Sequence, residues 1–237
     1  MEGFLHPIFS GLANGIIYGS VALALVMIYQ ATHHINFAQG EMATFSTFVA
    51  WWLMQSGWPY WGAFFFTIAV SFAGGLLVQR IILRPSEKAP VMTNVIVFIG
   101  LLLIFNAFSG WFFDHTIKAF DSPFPKDSVL TTKYFSAHQF GSAGVLLLVL
   151  IGLFAFFKFT PIGLAMRAAA QNPDSARLVG IRVSWMLGLG WGLAAAIGAV
   201  AGMMVAPIVF LDPNMMAGIL LYGFAAALLG GIDNPLG

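Results

Sequence analysis

The sequence predicts an all-α, polytopic integral membrane protein, a helix bundle with about seven spans. Of its 237 residues, 59% are hydrophobic and only 8% are charged, whereas about a quarter of the residues in a soluble domain are charged. The apolar residues form runs of about 20, the length that an α-helix needs to cross a bilayer. These runs are too long and continuous for the strands of a membrane barrel, so helices are expected.

We expect a single transmembrane domain over residues 1–237, with one span for each apolar run. The first run is too long for the core of a cleavable signal, and no basic segment precedes it, so it should itself direct insertion. The seventh run is short enough for a re-entrant segment. The expected spans are residues 8–29, 35–54, 60–83, 91–113, 140–159, 185–210 and 215–229.

The basic residues predict which loops face the cytosol. All ten lie near loops or span ends, and none precedes Arg80. Because positive residues collect in cytosolic loops, we expect residues 80–90 and 160–182 to be cytosolic, and the N-terminus and residues 114–138 to be external. Seven of the ten mark the two cytosolic loops: Arg80, Arg84, Lys88, Lys158, Arg167, Arg177 and Arg182.

Glycines recur at four-residue spacing in the first and sixth spans. Small residues at this spacing allow two helices to approach closely, so we expect these glycines to pack helices; a pore-lining role is the alternative. They are Gly11, Gly15 and Gly19 in span one, and Gly188, Gly192, Gly198 and Gly202 in span six.

Glu41 is a candidate functional residue. It is the sole acidic residue between Glu2 and Glu87, and it lies within the second apolar run or just inside its mouth. An ionisable side chain in a span is a functional candidate by default. The alternative is that Glu41 satisfies backbone donors in the first turn of its helix. The sequence leaves both readings open.

Several classes of site are absent from the sequence. The chain has no cysteine, which excludes disulfides and thiol–metal sites. His33 and His34 are adjacent and do not share a helix face, so a solvated pair is expected rather than a metal site. No nucleophile motif, dinucleotide fingerprint or Walker loop occurs, and the net charge of +1 argues against nucleic acid as a partner. We therefore expect no cofactor and no catalytic residue.

Residues 160–182 form the longest stretch after the midpoint that cannot lie in lipid. Asn172 is expected to cap a short helix, with Pro173 at its first position and Asp174 in its first turn. Gly180 is placed to end that helix in a left-handed conformation. Another short helix, over residues 162–171, is expected before it because Ala, Leu and Met favour helix.

The second of these helices has only about two turns, and a helix shorter than about 12 residues is marginal alone in water. It should therefore pack against something. Docking on another protein and an amphipathic turn lying on lipid headgroups are equally consistent with the residue types.

Four blocks, in order along nearly the whole chain, resemble the permease subunits of branched-chain amino acid ABC transporters of the leucine/isoleucine/valine type. Gln39 departs from the histidine usual in that family. The third block matches the family pattern at Gly163, Arg167, Ala168, Asn172, Ala176, Gly180 and Ile181. The blocks are GLANGIIYGSVALALVMIY (11–29) with INFAQGE (35–41), LRPSEKAPVMTNVIVFIGLLLIFNAF (83–108), GLAMRAAAQNPDSARLVGI (163–181) and ALLGGIDNPLG (227–237).

The resemblance implies a transport subunit of the bacterial inner membrane that works by ATP-driven alternating access and is not itself an enzyme. Its implied partners are cytosolic ATP-binding subunits, a second homologous permease, an external solute-binding protein, membrane lipid and an amino-acid substrate. Residues 160–182 would be the coupling segment, in which Ala168–Ala170 and Ala176 offer a smooth docking surface. Coupling residues would be Gly163, Arg167, Ala168, Asn172, Pro173, Ala176, Arg177 and Gly180, and path or gate residues Asn36, Gln39 and Glu41.

The sequence is also consistent with other functions. Related permeases carry other amino acids, urea or amides, and a secondary transporter or channel would need no ATPase. An intramembrane enzyme would need paired catalytic residues at matched depth, which the spans lack. Members of the family continue for about two more spans after the Gly-Gly turn at residues 230–231, so the resemblance leaves two alternatives, a naturally short chain or one truncated at its C-terminus.

Overall fold

The structure, a computed structural model, describes residues 11, 15, 17–26, 29, 36–86, 89–124 and 136–232. Within these ranges the regular secondary structure is helical apart from one isolated bridge between Lys118 and Leu211. The helices are α1 Ile17–Val26, α2 Gln39–Gln55, α3 Tyr60–Val78, α4 Arg84–Ser86, α5 Val91–Phe113, α6 Ala137–Phe159, α7 Pro161–Gln171, α8 Pro173–Leu178, α9 Val183–Val209 and α10 Met215–Gly230.

Four continuous helical stretches of the described chain are long and apolar enough to cross a membrane. They are Tyr60–Ser86, Met92–Phe113, Ala137–Phe159 and Val183–Val209. The first includes a π-helical turn, Gln79–Leu83, which joins α3 to α4. The predicted class, an all-α polytopic membrane protein, is therefore confirmed, while the number of seven spans stays a prediction.

The starts of two helices differ from the predicted spans. The span predicted at 140–159 begins at Ala137, because Ser136 and Gln139 form a capping box. The Ser136 hydroxyl accepts from the Gln139 N–H at 3.2 Å, and the Gln139 side chain accepts from the Ser136 N–H at 2.8 Å. The span predicted at 35–54 becomes α2, which begins at Gln39.

The helix α9 forms the centre of the bundle, with α2 and α3 packed along it. Most of its residues are buried, including Trp191. Glycine makes the approach of α3 possible, because a Cβ atom at Gly75 would lie 2.5 Å from the Trp191 carbonyl oxygen. Glycine also lets α2 approach α9 closely, because a Cβ atom at Gly202 would lie 2.9 Å from the Ala43 carbonyl oxygen.

The predicted packing glycines of spans one and six lie in different surroundings. Gly198 and Gly202 face α2, and a Cβ atom at Gly198 would lie 2.6 Å from Nε2 of Gln39. Among the described residues, no atom comes within 4 Å of a Cβ built at Gly11 or Gly15, and Gly19 meets Leu146 at 3.9 Å. Gly192 comes similarly close to α3, because its Cβ atom would lie 3.0 Å from the Phe72 carbonyl oxygen. Close helix approach is thus seen at Gly192, Gly198 and Gly202 of span six.

A buried histidine joins α6 to α9. Nε2 of His138 lies 2.8 Å from the Met204 carbonyl oxygen, and Nδ1 lies 2.8 Å from the Ser122 hydroxyl. A carbonyl oxygen can only accept, so the Nε2–H donates to Met204 and Nδ1 accepts from Ser122. The contact holds the start of α6 and the segment before it against the core.

Candidate functional site

A buried polar turn precedes α2. The Asn36 side chain accepts a hydrogen bond from the Ala38 N–H at 3.0 Å and donates one to Oε1 of Gln39 at 3.2 Å. Gln39 in turn donates from Nε2 to the Ala194 carbonyl oxygen at 2.9 Å. Asn36 and Gln39 are almost completely buried. Two predicted path residues therefore form one hydrogen-bonded unit.

This turn lies at the depth of the middle of α9. Ala194 is near the midpoint of α9, whose 27 residues extend about 40 Å. The 17 residues of α2 extend about 26 Å, which is less than the roughly 30 Å of a hydrocarbon core. The helix α2 thus begins inside the bundle, beside a helix that crosses it fully.

Glu41, the third predicted path residue, lies in the first turn of α2 and is only 5% exposed. Its Oε2 accepts a hydrogen bond from Nδ2 of Asn106 on α5 at 3.2 Å. The same nitrogen lies 3.0 Å from Oδ1 of Asn214 and 3.2 Å from the Pro213 carbonyl oxygen. One amide group therefore connects α2, α5 and the segment before α10.

A second carboxylate stands at this junction. Oδ1 of Asp212 accepts from the Asn214 N–H at 2.7 Å, one residue before α10 begins at Met215. We call Glu41, Asn106, Asp212 and Asn214 the polar junction. It combines two carboxylates with two carboxamides among apolar helices, so it can offer both hydrogen-bond acceptors and donors to a polar solute.

The starts of α2 and α10 lie side by side at the polar junction. A Cβ atom at Gly40 would lie 3.2 Å from Cβ of Met216 and 3.3 Å from Cδ2 of Leu220. Each helix start carries a partial positive charge, and such short helices can direct their N-termini towards an anionic group within a membrane. The junction therefore places partial positive charge from the backbone beside two carboxylates.

Glu41 does not cap α2 in the structure. The N-cap of α2 is Ala38, and its backbone N–H is bound by Asn36. In the described part of the chain, α2 has no side-chain capping hydrogen bond at this position. The hydrogen bond of Glu41 goes across to Asn106 on another helix, so the carboxylate connects helices.

Asn106, Asp212 and Asn214 were not predicted as site residues from the sequence. Asn106 lies in an apolar run, and a polar side chain within a span was a usable signal. Asp212 and Asn214 follow the sixth span, where polar residues are ordinary in a turn, so nothing in the local sequence marks them as site residues. His33, His34 and residues 233–237 lie outside the described residues.

The segment over residues 160–182 has the two helices that its sequence predicts. Asn172 caps α8 by accepting from the Ser175 N–H at 2.9 Å, with Pro173 at the first position. Gly180 follows the end of α8 with φ at +86°, a left-handed conformation that glycine adopts at little cost. Thr160 caps α7 by accepting from the Gly163 N–H at 3.0 Å.

One face of this segment packs against the bundle. Ala176 is 4% exposed and forms a cluster with Ala169 and Val183, the first residue of α9. Gly163 lies against the backbone of Phe156 on α6. In the chain by itself α9 thus covers Ala176, and its place on a docking surface stays a prediction.

The opposite face of the segment is exposed. Leu178 is 89% exposed and Val179 is 76% exposed, an unusual position for two large apolar side chains outside a membrane. Arg177 forms an ion pair with Asp174 at 2.7 Å, which at the surface contributes at most about 1 kcal/mol. Ala168 is half-buried. The predicted coupling residues that are exposed are Arg167, Asn172, Pro173, Arg177 and Gly180.

Comparison with known proteins assigns the family. The family model described as "Branched-chain amino acid transport system / permease component" matches residues 7–237. The chain belongs to this permease family. No solved structure matches it. The resemblance inferred from the four sequence blocks is therefore confirmed, and it covers nearly the whole chain.

Relatives of the chain come from several organisms. The chain is 27% identical to the high-affinity branched-chain amino acid transport system permease LivH of Escherichia coli, over 98% of this chain and 80% of that protein. It is 29% identical to a probable LivH of Methanocaldococcus jannaschii (95% and 75%). It is 26% identical to the permease BraD of Pseudomonas aeruginosa (98% and 80%).

Proposed function

We propose that this permease is the membrane-spanning subunit of an ABC importer that carries branched-chain amino acids across the bacterial inner membrane. Its relatives LivH and BraD are named as permeases of high-affinity branched-chain amino acid transport systems. The energy would come from cytosolic ATP-binding subunits. A second homologous permease would complete the path, and an external solute-binding protein would deliver the substrate.

The attachment of the coupling segment to α9 carries this proposal. The segment exposes Leu178 and Val179 on one side, and on the other it packs through Ala176 against Val183. A partner that bound the exposed side and moved would therefore displace the start of α9 directly. Transmission through packed side chains is a physical route for coupling.

The same helix leads to the polar junction. Along α9, Ala194 binds Gln39 at the start of α2, and Glu41 follows one half-turn later. A shift of α9 would therefore move α2 relative to Asn106 on α5. In the proposed mechanism of alternating access, this movement opens and closes the polar junction to the two sides of the membrane.

The polar junction suits a zwitterionic amino acid. An ammonium group could replace Asn106 as the partner of Glu41, and Asp212 supplies a second carboxylate nearby. The substrate carboxylate would face the starts of α2 and α10, where the backbone carries partial positive charge. The path or gate role of Asn36, Gln39 and Glu41 is part of this proposal.

Reconstitution tests the proposed function. The full importer in proteoliposomes, with its solute-binding protein outside and ATP inside, should accumulate labelled leucine, isoleucine or valine. Accumulation should stop when ATP is replaced by a non-hydrolysable analogue. Uptake by the permease alone, driven by an ion gradient, would instead show a secondary transporter. Competition of leucine uptake by urea, amides or other amino acids would assign a different substrate class.

A further inference from the structure

A second site lies at the end of the bundle where the coupling segment joins α9. It is an open cavity of about 700 Å³ between the end of α3, the π-helical turn, α4 and the start of α9. Its volume falls within the range of small-molecule sites, about 300–1,000 Å³. Four arginines line it: Arg80, Arg84, Arg177 and Arg182. We call it the arginine cavity.

Among the described residues, acidic side chains neutralise little of the positive charge of this cavity. Arg177 pairs with Asp174. In the described part of the chain, Arg80, Arg84 and Arg182 form no ion pair, and none of the described lining residues is acidic. Guanidinium groups gathered at one opening repel one another, and they match the geometry of a phosphate by paired hydrogen bonds. The open end of the cavity is therefore built for an anion.

The other end of the cavity is apolar. Ala73, Leu77 and Trp185 contribute to its wall, and Leu77 is 55% exposed while Trp185 is 48% exposed. Ala73 and Leu77 lie within the stretch Tyr60–Ser86, which is long and apolar enough to cross a membrane. Tryptophan with exposed surface is typical of the membrane interface. The apolar wall is thus continuous with the lipid-facing surface of α3.

The depth of the cavity argues against a water-soluble protein as its occupant. From Arg84 to Ala73 the helical chain rises by eleven residues, about 16 Å, which is roughly half of a hydrocarbon core. A water-soluble subunit bound at the coupling segment cannot reach that far into the membrane. An acyl chain lies there naturally, with its headgroup at the level of the arginines.

Close packing of α9 against α3 and the π-helical turn maintains the shape of the cavity. Gly188 of α9 lines the wall, and a Cβ atom there would lie 3.2 Å from Oε1 of Gln79 and 3.3 Å from Cδ2 of Leu76. Gln79 begins the π-helical turn and is buried, whereas Arg80 beside it is exposed. Such turns are frequent at functional sites. The turn fixes Gln79 against α9 and leaves Arg80 at the opening.

We infer that the arginine cavity binds the phosphate headgroup and upper acyl chains of one anionic phospholipid. Basic pockets between membrane helices are suited to such headgroups. The lipid would bridge α3 and α9 beside Arg177 and Arg182, at the base of the coupling segment. The ligand class follows from the charge, the depth and the apolar wall together.

Native mass spectrometry of the purified full chain, titrated with phosphatidylglycerol or phosphatidylcholine, tests this inference. The wild type should bind one phosphatidylglycerol in preference to phosphatidylcholine. The double variant Arg80→Gln/Arg84→Gln should bind phosphatidylglycerol roughly thirtyfold more weakly, about fivefold for each arginine. Arg167→Gln is the matched control, since Arg167 is exposed on α7 and does not line the cavity. It should bind phosphatidylglycerol as the wild type does.

Two further arms identify the source of the anion. Leu77→Asn should weaken phosphatidylglycerol binding without changing the affinity for inorganic phosphate. Complete displacement of the lipid by inorganic phosphate, with Leu77→Asn binding lipid normally, would overturn the inference in favour of a simple anion site. Thermal unfolding of each variant in neutral detergent checks folding. If the double variant fails to fold, the single variant Arg84→Gln takes its place in the test, since Arg84 is at an exposed position on α4.

Two other outcomes would also overturn the inference. One is that the double variant and the Arg167→Gln control bind phosphatidylglycerol equally well. The other combines two measurements on the double variant. It still binds phosphatidylglycerol, but in membranes of phosphatidylcholine it no longer co-purifies with the ATP-binding subunits. That result would assign Arg80 and Arg84 to a protein interface.

Discussion

The side-chain amide of Gln39 donates a hydrogen bond of 2.9 Å to the carbonyl oxygen of Ala194, which lies 155 positions further along the chain. This bond joins the start of α2 to the middle of α9. Both residues are buried, so water cannot take the place of either partner, and loss of this hydrogen bond costs free energy. The contact sets the depth at which α2 begins and therefore the depth of Glu41.

Gln39→Leu should destabilise the protein and lower transport. It removes the bond to Ala194 and leaves the buried amide of Asn36 without its oxygen partner, at a cost of about 1–3 kcal/mol. Gln39→His should retain much of the stability, because a ring nitrogen can donate to Ala194 and the other can accept from Asn36. Thermal unfolding and leucine uptake measure both effects. Equal unfolding temperatures for Gln39→Leu and wild type would contradict the structural role.

Glu41→Gln should lower the rate of transport and leave assembly intact. The glutamine oxygen can still accept from Asn106, as Oε2 of Glu41 does, so the contact between α2 and α5 survives while the negative charge is lost. Asn106→Leu is the complementary variant, which keeps the charge and removes the contact. Uptake is measured at matched expression in the full importer. Normal uptake by Glu41→Gln would rule out a role of the charge in the path.

Exchange of the exposed apolar pair tests docking at the coupling segment. Leu178→Ser/Val179→Ser should weaken association with the ATP-binding subunits by tenfold or more, since burying a leucine is worth about 1.5–3 kcal/mol. Stability should change little at such exposed positions. Ile117→Ser is the matched control, because Ile117 is 74% exposed but lies in the segment after α5. Co-purification and ATP hydrolysis report the result; wild-type values for the double variant would exclude this docking surface.

Large substitutions should separate the two faces of the segment. Ala176→Trp should destabilise the protein by about 1–3 kcal/mol through overpacking, because α9 and Ala169 cover this position. Ala168→Trp, at a half-buried position, should retain the fold and lower coupled ATP hydrolysis. Unfolding temperature and hydrolysis are measured on both variants. A fully stable Ala176→Trp would show that the segment does not pack on α9 as described.

Cysteine labelling tests the predicted topology, because the chain has no cysteine of its own. Ser175→Cys, exposed on α8, should react with a membrane-impermeant maleimide only after cells are opened. Ser56→Cys, exposed between α2 and α3, should react in sealed cells. Labelling of Ser175→Cys from outside would reverse the proposed orientation.

The sequence by itself predicted those features that depend on neighbouring residues. The long apolar run over residues 91–113 became α5 with the same bounds, because the length and hydrophobicity of one segment suffice for a membrane helix. Asn172 and Gly180 act on backbone groups within a few residues. The family could also be recognised, since its motifs are short and follow in order.

Only the tertiary structure decided which side chains meet. Asn106 and Asn214 are 108 positions apart and share one hydrogen bond, and no local pattern couples two such positions. The inward position of Ala176 depends on where α9 lies, which the alternation of residues within two short helices does not specify. The arginine cavity joins Arg80 and Arg84 to Arg182 across two helices. Contacts between distant segments arise from helix packing, so their chemistry appears only after the chain has folded.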